Sequence, residues 1–174
     1  MSKVERRIIA VGQYGQVACA VDASLAAPAA VFLDELKTGY WDDPEVGELP
    51  DERQVKEYYR FLALCKKIAN GEDLEDFLSY NRLQDGVWEL KVGIMRLAFY
   101  DTNGQGSWTP KPGDRHEEFD GKVKWLIPMD FDYFLRLANS FPKTEAKAPP
   151  EEILRAMQIR KEDVNHDRDE QVRG

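Results

Sequence analysis

The sequence predicts an α+β fold, and three segments support that prediction. Residues 81–100 contain two apolar stretches that follow a turn signal at Asp85-Gly86, a pattern that is typical of paired strands. Residues 51–70 place apolar side chains at helical spacing, as an amphipathic helix does. A Pro-Pro-Glu-Glu run at 149–152 has the residues that favour the first turn of a helix.

The N-terminal part of the chain predicts a strand or hairpin followed by a helix. Residues 4–22 hold two apolar stretches on either side of a turn at 13–15. Ser24 is a suitable N-cap for a helix over 25–37, because its hydroxyl can accept a backbone N–H. Gly39 is suited to the position just beyond the end of that helix.

The middle of the chain predicts two helical segments and a loop. An acidic connector at 38–52 leads into the helix over 51–70, and a short helical turn is expected at 73–78. Residues 102–121 are rich in glycine and proline and show no periodicity. We therefore expect an exposed, mobile insertion at that point.

The C-terminal part predicts strands and a last helix. Residues 122–129 read as a strand that Pro128 ends, while 130–140 fit either a continuing strand or a helical turn. A helix from Pro150 follows, and the polar residues after it predict disorder. We expect one domain over 1–163 with a disordered tail at 164–174.

The composition indicates a soluble globular chain. Its 174 residues are 43% hydrophobic and 32% charged, which suits one domain with a modest core. No apolar run approaches the roughly 20 residues of a membrane span, so we expect no membrane contact. The two cysteines, Cys19 and Cys65, form no disulfide framework, which favours a cytoplasmic location. Phosphate-binding glycine loops and zinc spacings are missing, so we expect neither a metal nor a cofactor.

The net charge of −8 disfavours a nucleic-acid-binding role, because such binding draws on lysine and arginine contacts to phosphates. The charges are unevenly distributed, however. Residues 136–161 hold six cationic against three acidic side chains. A cationic site inside an acidic chain is therefore expected.

Four blocks of the chain occur in an order that a known family shares. The blocks are PAAVFLDEL at 28–36, DGVWELK at 85–91, MRLAFY at 95–100, and FPKTEAKAP at 141–149 followed by Glu152-Ile153 and Ala156. They resemble the first helix, the central strands and the basic block before the last helix of the HigB/RelE-like toxins of type II toxin–antitoxin systems, in the phage-derived branch. The resemblance implies a RelE-like α+β fold.

The resemblance also implies a metal-independent mRNA endoribonuclease that is associated with the ribosome and held by a cognate antitoxin protein. Such cleavage needs a group that takes the 2′-hydroxyl proton, cations at the phosphate, and a donor for the leaving oxygen. The catalytic residues that it implies here are Arg96, Lys143, Lys91 and Tyr100, and the RNA-binding residues are Lys147, Arg136 and Asn139.

Arg96 stands out from the sequence itself. It lies in an otherwise apolar run, IMRLAFY, where an arginine has no packing role. The functional interpretation is a guanidinium that clamps phosphate, and the structural one is an edge-strand ion pair with Glu89. Lys91 is similarly open to two interpretations, a phosphate contact or a solvated lysine.

An alternative function follows from the departures from the family pattern. Asn139 stands where many relatives have a histidine, and asparagine cannot transfer a proton at neutral pH. The last helix also lacks the tyrosine of the family pattern. These departures favour a catalytically inactive phage or mobile-element protein that uses the scaffold to bind a protein partner, with Trp41 and Trp108 as candidate contacts.

Overall fold

The computed structural model describes residues 4–44, 46–72, 74, 79–143 and 147–173. The described helices are α1 (Pro28–Thr38), α2 (Asp51–Ala69) and α3 (Pro150–Arg173). The described strands are β1 (Ile8–Val11), β2 (Gln16–Cys19), β3 (Asp42–Asp43), β4 (Gly47–Glu48), β5 (Tyr80–Arg82), β6 (Trp88–Val92), β7 (Met95–Thr102), β8 (Asp114–Glu117), β9 (Val123–Leu126) and β10 (Phe134–Pro142).

The main sheet has six strands in the order β1-β2-β10-β7-β6-β5. β10 pairs in parallel with β2, and every other neighbouring pair of this sheet is antiparallel. The predicted mixed α+β class, with a mostly antiparallel sheet and a C-terminal helix, is confirmed. β10 occupies 134–142, so the strand interpretation of the ambiguous segment holds from Phe134 onwards.

The two faces of the sheet carry different helices. Helices α1 and α2 cover one face, whose core is made of large apolar side chains, among them Phe32, Leu33, Phe61, Trp88, Leu97 and Phe99. Helix α3 packs on the opposite face against β7 and β10. We call this the α3 face, and its smaller core includes Ala98, Tyr100, Ala138, Ala156, Ile159 and Val164.

Helix α1 begins later than the sequence predicts. Its N-cap is Ala27, without a side-chain cap, and Pro28 opens the first turn. Ser24 instead donates its hydroxyl to the carboxylate of Asp22, which also accepts the backbone N–H groups of Ser24 and Ala26. This local turn competes with helix for the same backbone groups. The predicted end is confirmed, since Gly39 adopts φ 78° as the C-cap.

Helix α3 continues through the segment for which the sequence predicts a disordered tail. It runs without interruption to Arg173, and Val164 and Asp167 are buried. His166 bonds through Nε2 to the carbonyl oxygen of Asp22 at 2.8 Å. The segment is ordered by contacts with the N-terminal part of the chain, and such long-range contacts leave no trace in local composition.

The segment predicted as a mobile insertion is anchored to the sheet. Lys111 forms an ion pair of 2.7 Å with buried Asp101, and its carbonyl accepts the indole N–H of Trp88 at 3.0 Å. Strands β8 and β9 pair only with each other in the described sheets. Arg82 stacks on Trp125 of β9 at 3.6 Å. The loop and hairpin are therefore held in place by polar and aromatic contacts.

Trp41 is buried and not available to a partner. Gln54 binds both its backbone N–H and its carbonyl, so the connector before α2 packs into the core. The helical turn expected at 73–78 lies outside the described residues, except for buried Leu74. Within the described part of the chain, none of the helices combines the length and apolar character needed to cross a membrane.

Candidate functional site

Three of the predicted cationic residues meet at one end of the main sheet. Lys91 on β6 lies directly opposite Arg96 on β7, so the two side chains project on the same face. Arg96 in turn lies opposite Phe141 on β10, and the backbone N–H of Lys143, just beyond β10, donates to the carbonyl of Ile94 at 2.7 Å. We call Lys91, Arg96 and Lys143 the cation cluster.

The guanidinium of Arg96 is fixed by the turn between β6 and β7. Its Nη1 donates to the carbonyl of Gly93 at 2.8 Å and to the carbonyl of the neighbouring Met95 at 3.0 Å. Only 9% of the residue is exposed. Its Nε is buried without a hydrogen-bond partner. The group is therefore pre-oriented, and its Nε faces the carboxylate of Glu89 at 3.8 Å, which is the ion pair of the structural interpretation. A fixed guanidinium of this kind can also stabilise negative charge with little reorganisation.

Glu89 lies on β6 two residues before Lys91, so both side chains project on the same face of the sheet. The sequence predicts it only as an ion-pair partner of Arg96 and not as a site residue. Its carboxylate lies 3.8 Å from Arg96 Nε, and Oε2 is buried without a hydrogen-bond partner. Burial raises the pKa of Glu89, against the opposing effect of Arg96. The sequence feature that could have identified Glu89 is its position between Trp88 and Leu90, where a carboxylate interrupts an apolar strand.

Burial and two neighbouring cations change the pKa of Lys91. Its pKa is lowered, first by burial and then by repulsion from Arg96 and Lys143. The side chain stays half-buried on β6, next to β7, which is one of the two strands on which α3 packs. A lysine with a lowered pKa can act as a general base or acid nearer neutral pH than an ordinary lysine.

Tyr100 and Arg136, predicted as site residues, lie in a buried network away from the cluster. The hydroxyl of Tyr100 donates to Asp163 at 2.6 Å, and burial raises its pKa well above its ordinary value. Arg136 donates to the same carboxylate at 2.7 Å. Both side chains are thus committed to α3, because Asp163 needs these donors to remain charged in the interior.

Among the described contacts, none joins Asn139 or Lys147 to the cation cluster. The amide of Asn139 is fully buried, and its Nδ2 donates to the carboxylate of Glu152 at 2.9 Å. This contact ties β10 to the first turn of α3. Lys147 is exposed just before that helix.

Glu89→Gln should change the pH dependence of stability. The raised pKa of Glu89 means that the folded chain holds the proton more tightly than the unfolded chain. Wild-type stability therefore falls as pH rises from about 4.3, the unfolded value, towards the folded pKa. Glutamine does not titrate, so the stability of the variant relative to wild type should increase with pH over that window. Urea denaturation across the window measures this difference, and parallel pH profiles would contradict it.

Among the described residues, no group of three histidine, cysteine, aspartate or glutamate side chains is arranged to hold a metal ion. Comparison with known proteins identified no matching family model, no matching curated protein and no matching solved structure.

Proposed function

We propose that the protein is the toxin of a type II toxin–antitoxin system, a metal-independent mRNA endoribonuclease that works on the ribosome. The observation that carries the proposal is the cation cluster. Two adjacent strands and the end of a third bring Lys91, Arg96 and Lys143 to one sheet end. This convergence supplies the positive charge that a phosphodiester needs, within a chain whose net charge is −8.

The proposed reaction assigns a step to each member of the cluster. The amine of Lys91, once deprotonated, takes the proton of the RNA 2′-hydroxyl, whose oxygen then attacks the adjacent phosphorus. Arg96 holds the charge that develops on the phosphate oxygens. The ammonium of Lys143 gives a proton to the departing 5′-oxygen. The products are a 2′,3′-cyclic phosphate and a 5′-hydroxyl end, and the two lysines then exchange protons with solvent.

The proposal includes the partners that the family resemblance implies. A cognate antitoxin would cover the cation cluster, and an acidic segment could replace the RNA backbone there because it presents similar negative charge. The substrate is mRNA in the cytoplasm, presented by the ribosome.

Induction of the protein in a bacterial host tests the proposal. Growth arrest and new mRNA 5′ ends within codons are expected for wild type, and neither is expected for Arg96→Ala/Lys143→Ala. The matched control is Arg115→Ala/Lys122→Ala, which removes two cations from the β8–β9 hairpin and should cleave like wild type. The proposal would be refuted if folded wild-type protein produced no new mRNA 5′ ends, or if Arg96→Ala/Lys143→Ala cleaved mRNA as well as wild type does.

A second function, partner binding by a catalytically inactive scaffold, is supported by the burial of Tyr100 and Asn139. Both side chains are fully buried and hydrogen-bonded internally, so neither replaces the histidine that many relatives place near the site. A folded protein that arrests no growth and yields no new ends would favour this second function.

A further inference from the structure

A groove lies beside α3, and its lining residues do not include Lys91, Arg96 or Lys143 of the cation cluster. It lies between α3 and the 103–113 loop, and we call it the α3 groove. It has a volume of about 470 Å³ and is lined by Trp108, Leu154, Met157, Arg160, Lys161, Val164 and Arg168, together with Asp85, Gln158 and Asn165. The helical lining residues at 154, 157, 161, 164 and 168 are three or four apart, so they form one face of the helix.

The wall of the groove is held rigidly. Arg160 is almost fully buried, and its guanidinium stacks at 3.6 Å on the ring of Trp108. Its Nη1 also donates to the carbonyl of Asp85 at 2.6 Å. Arg168 ties α3 to the loop by donating to the carbonyl of Gly106 at 3.0 Å. A pre-organised wall of this kind lowers the entropy cost of binding.

The floor of the groove is apolar and accessible. Leu154 is 63% exposed and Trp108 is 36% exposed, while Met157 is partly buried and Val164 is buried. Aliphatic side chains with one aromatic ring suit the apolar anchors of a polypeptide.

The charge of the groove opposes that of the chain. The lining residues include three cations, Arg160, Lys161 and Arg168, against the single carboxylate of Asp85, whereas the net charge is −8. Arg160 is buried against Trp108, whereas Lys161 and Arg168 are exposed. Lys161 and Arg168 are therefore the cations placed to meet carboxylates of a ligand, although Arg168 also donates to the carbonyl of Gly106. Such complementarity favours an acidic ligand.

We propose that the α3 groove binds an acidic polypeptide segment of a partner protein, with apolar side chains on Leu154, Met157 and Trp108 and carboxylates on Lys161 and Arg168. A polypeptide fits better than single-stranded RNA. Bases bind by stacking on open aromatic faces, and one face of the only tryptophan lining the groove is taken by Arg160. The inference does not depend on RNA cleavage.

Selection of displayed random peptides on the immobilised full-length protein tests the inference. The groove spans 154–168, so peptides of about 14 residues cover its length if helical. Enriched peptides should combine acidic residues with aromatic or aliphatic ones. Their affinity, measured by fluorescence anisotropy, should fall at least about tenfold for Lys161→Glu/Arg168→Glu and for Leu154→Glu.

Leu154→Glu keeps the test decisive if the charge variant folds poorly, because the exposed side chain of Leu154 contributes little to the core. The matched control, Arg115→Glu/Lys122→Glu, makes the same charge change on the β8–β9 hairpin and should bind the peptides like wild type. The inference is overturned by a selection without enriched sequences, by peptides that bind Leu154→Glu as tightly as wild type, or by equal loss in the control. It is also overturned if single-stranded RNA of similar length binds this groove in preference to the peptides.

Discussion

Asp163→Ala is expected to destabilise the protein by about 3–5 kcal/mol, as removal of one partner from a buried ion network does. The carboxylate accepts hydrogen bonds from Arg6, Tyr100, Arg136 and the backbone of Val21, all between 2.6 and 2.9 Å. The variant leaves buried Arg136 and partly buried Arg6 with Asp167 as their remaining counter-ion. Since stabilities of 5–15 kcal/mol are usual, the loss should be a large fraction of the total in urea denaturation.

The pH dependence of this loss has a defined sign. Burial would raise the pKa of Asp163, but Arg136, Arg6 and the hydrogen bonds outweigh it, so the pKa is lowered. The stabilisation by Asp163 is therefore full above the unfolded pKa of about 3.9 and is lost as pH falls through the folded pKa. The difference in free energy of unfolding between wild type and Asp163→Ala should therefore become smaller at acidic pH.

Asp34→Ala is the control for the Asp163 prediction. Asp34 forms an ion pair of 2.7 Å with Arg7, but both side chains are about half exposed, at 56% and 46%. An exposed pair of this kind contributes about 0–1 kcal/mol. Equal losses for Asp34→Ala and Asp163→Ala would show that the buried network does not hold α3 to the sheet.

Arg96→Ala is expected to reduce the rate of RNA cleavage by about 10²–10³-fold, the usual effect of removing one donor from a charge-stabilising site. Arg96→Lys should be intermediate, because an ammonium keeps the charge and loses the two-pronged geometry. The measurement is the initial rate of cleavage of a defined mRNA in a bacterial translation extract.

Stability must be measured alongside this rate, because Arg96 also donates to the carbonyls of Gly93 and Met95. Arg115→Ala is the control, since its side chain is exposed on the β8–β9 hairpin, and it should cleave at the wild-type rate. A folded Arg96→Ala protein that cleaves as fast as wild type would remove Arg96 from the mechanism.

Local patterns in the sequence predict most of the fold. The periodicity of 51–70 predicts α2, and Asp85-Gly86 predicts the turn before β6, where both residues adopt positive φ. The order of the tail could not be predicted in this way. It depends on Asp163 and Asp167 meeting Arg6, more than 150 residues away in the chain, and composition alone shows only a polar segment.

The candidate site was predicted in part, for a physical reason. An arginine in an apolar strand marks Arg96 as an unusual side chain, and in the structure it lies opposite Lys91 and pairs with Glu89. Sequence alone could not show that Arg136 binds to a helix while Lys91 and Arg96 belong to the cation cluster. The alternation of side chains along a strand does not reveal where a helix that is distant in sequence covers that strand. Arg136 forms a buried ion pair with the carboxylate of Asp163 on α3.

The chemistry of the new RNA ends is the most direct test of the proposed ribonuclease. Attack by the 2′-hydroxyl, with Lys91 as base and Lys143 as acid, leaves a 5′-hydroxyl on each downstream fragment. Ligation-based sequencing of RNA from induced cells separates 5′-hydroxyl from 5′-phosphate ends. The proposed mechanism predicts 5′-hydroxyl ends within codons that disappear in Arg96→Ala/Lys143→Ala. New ends that carry 5′-phosphates, or 5′-hydroxyl ends that persist in the double variant, would contradict it.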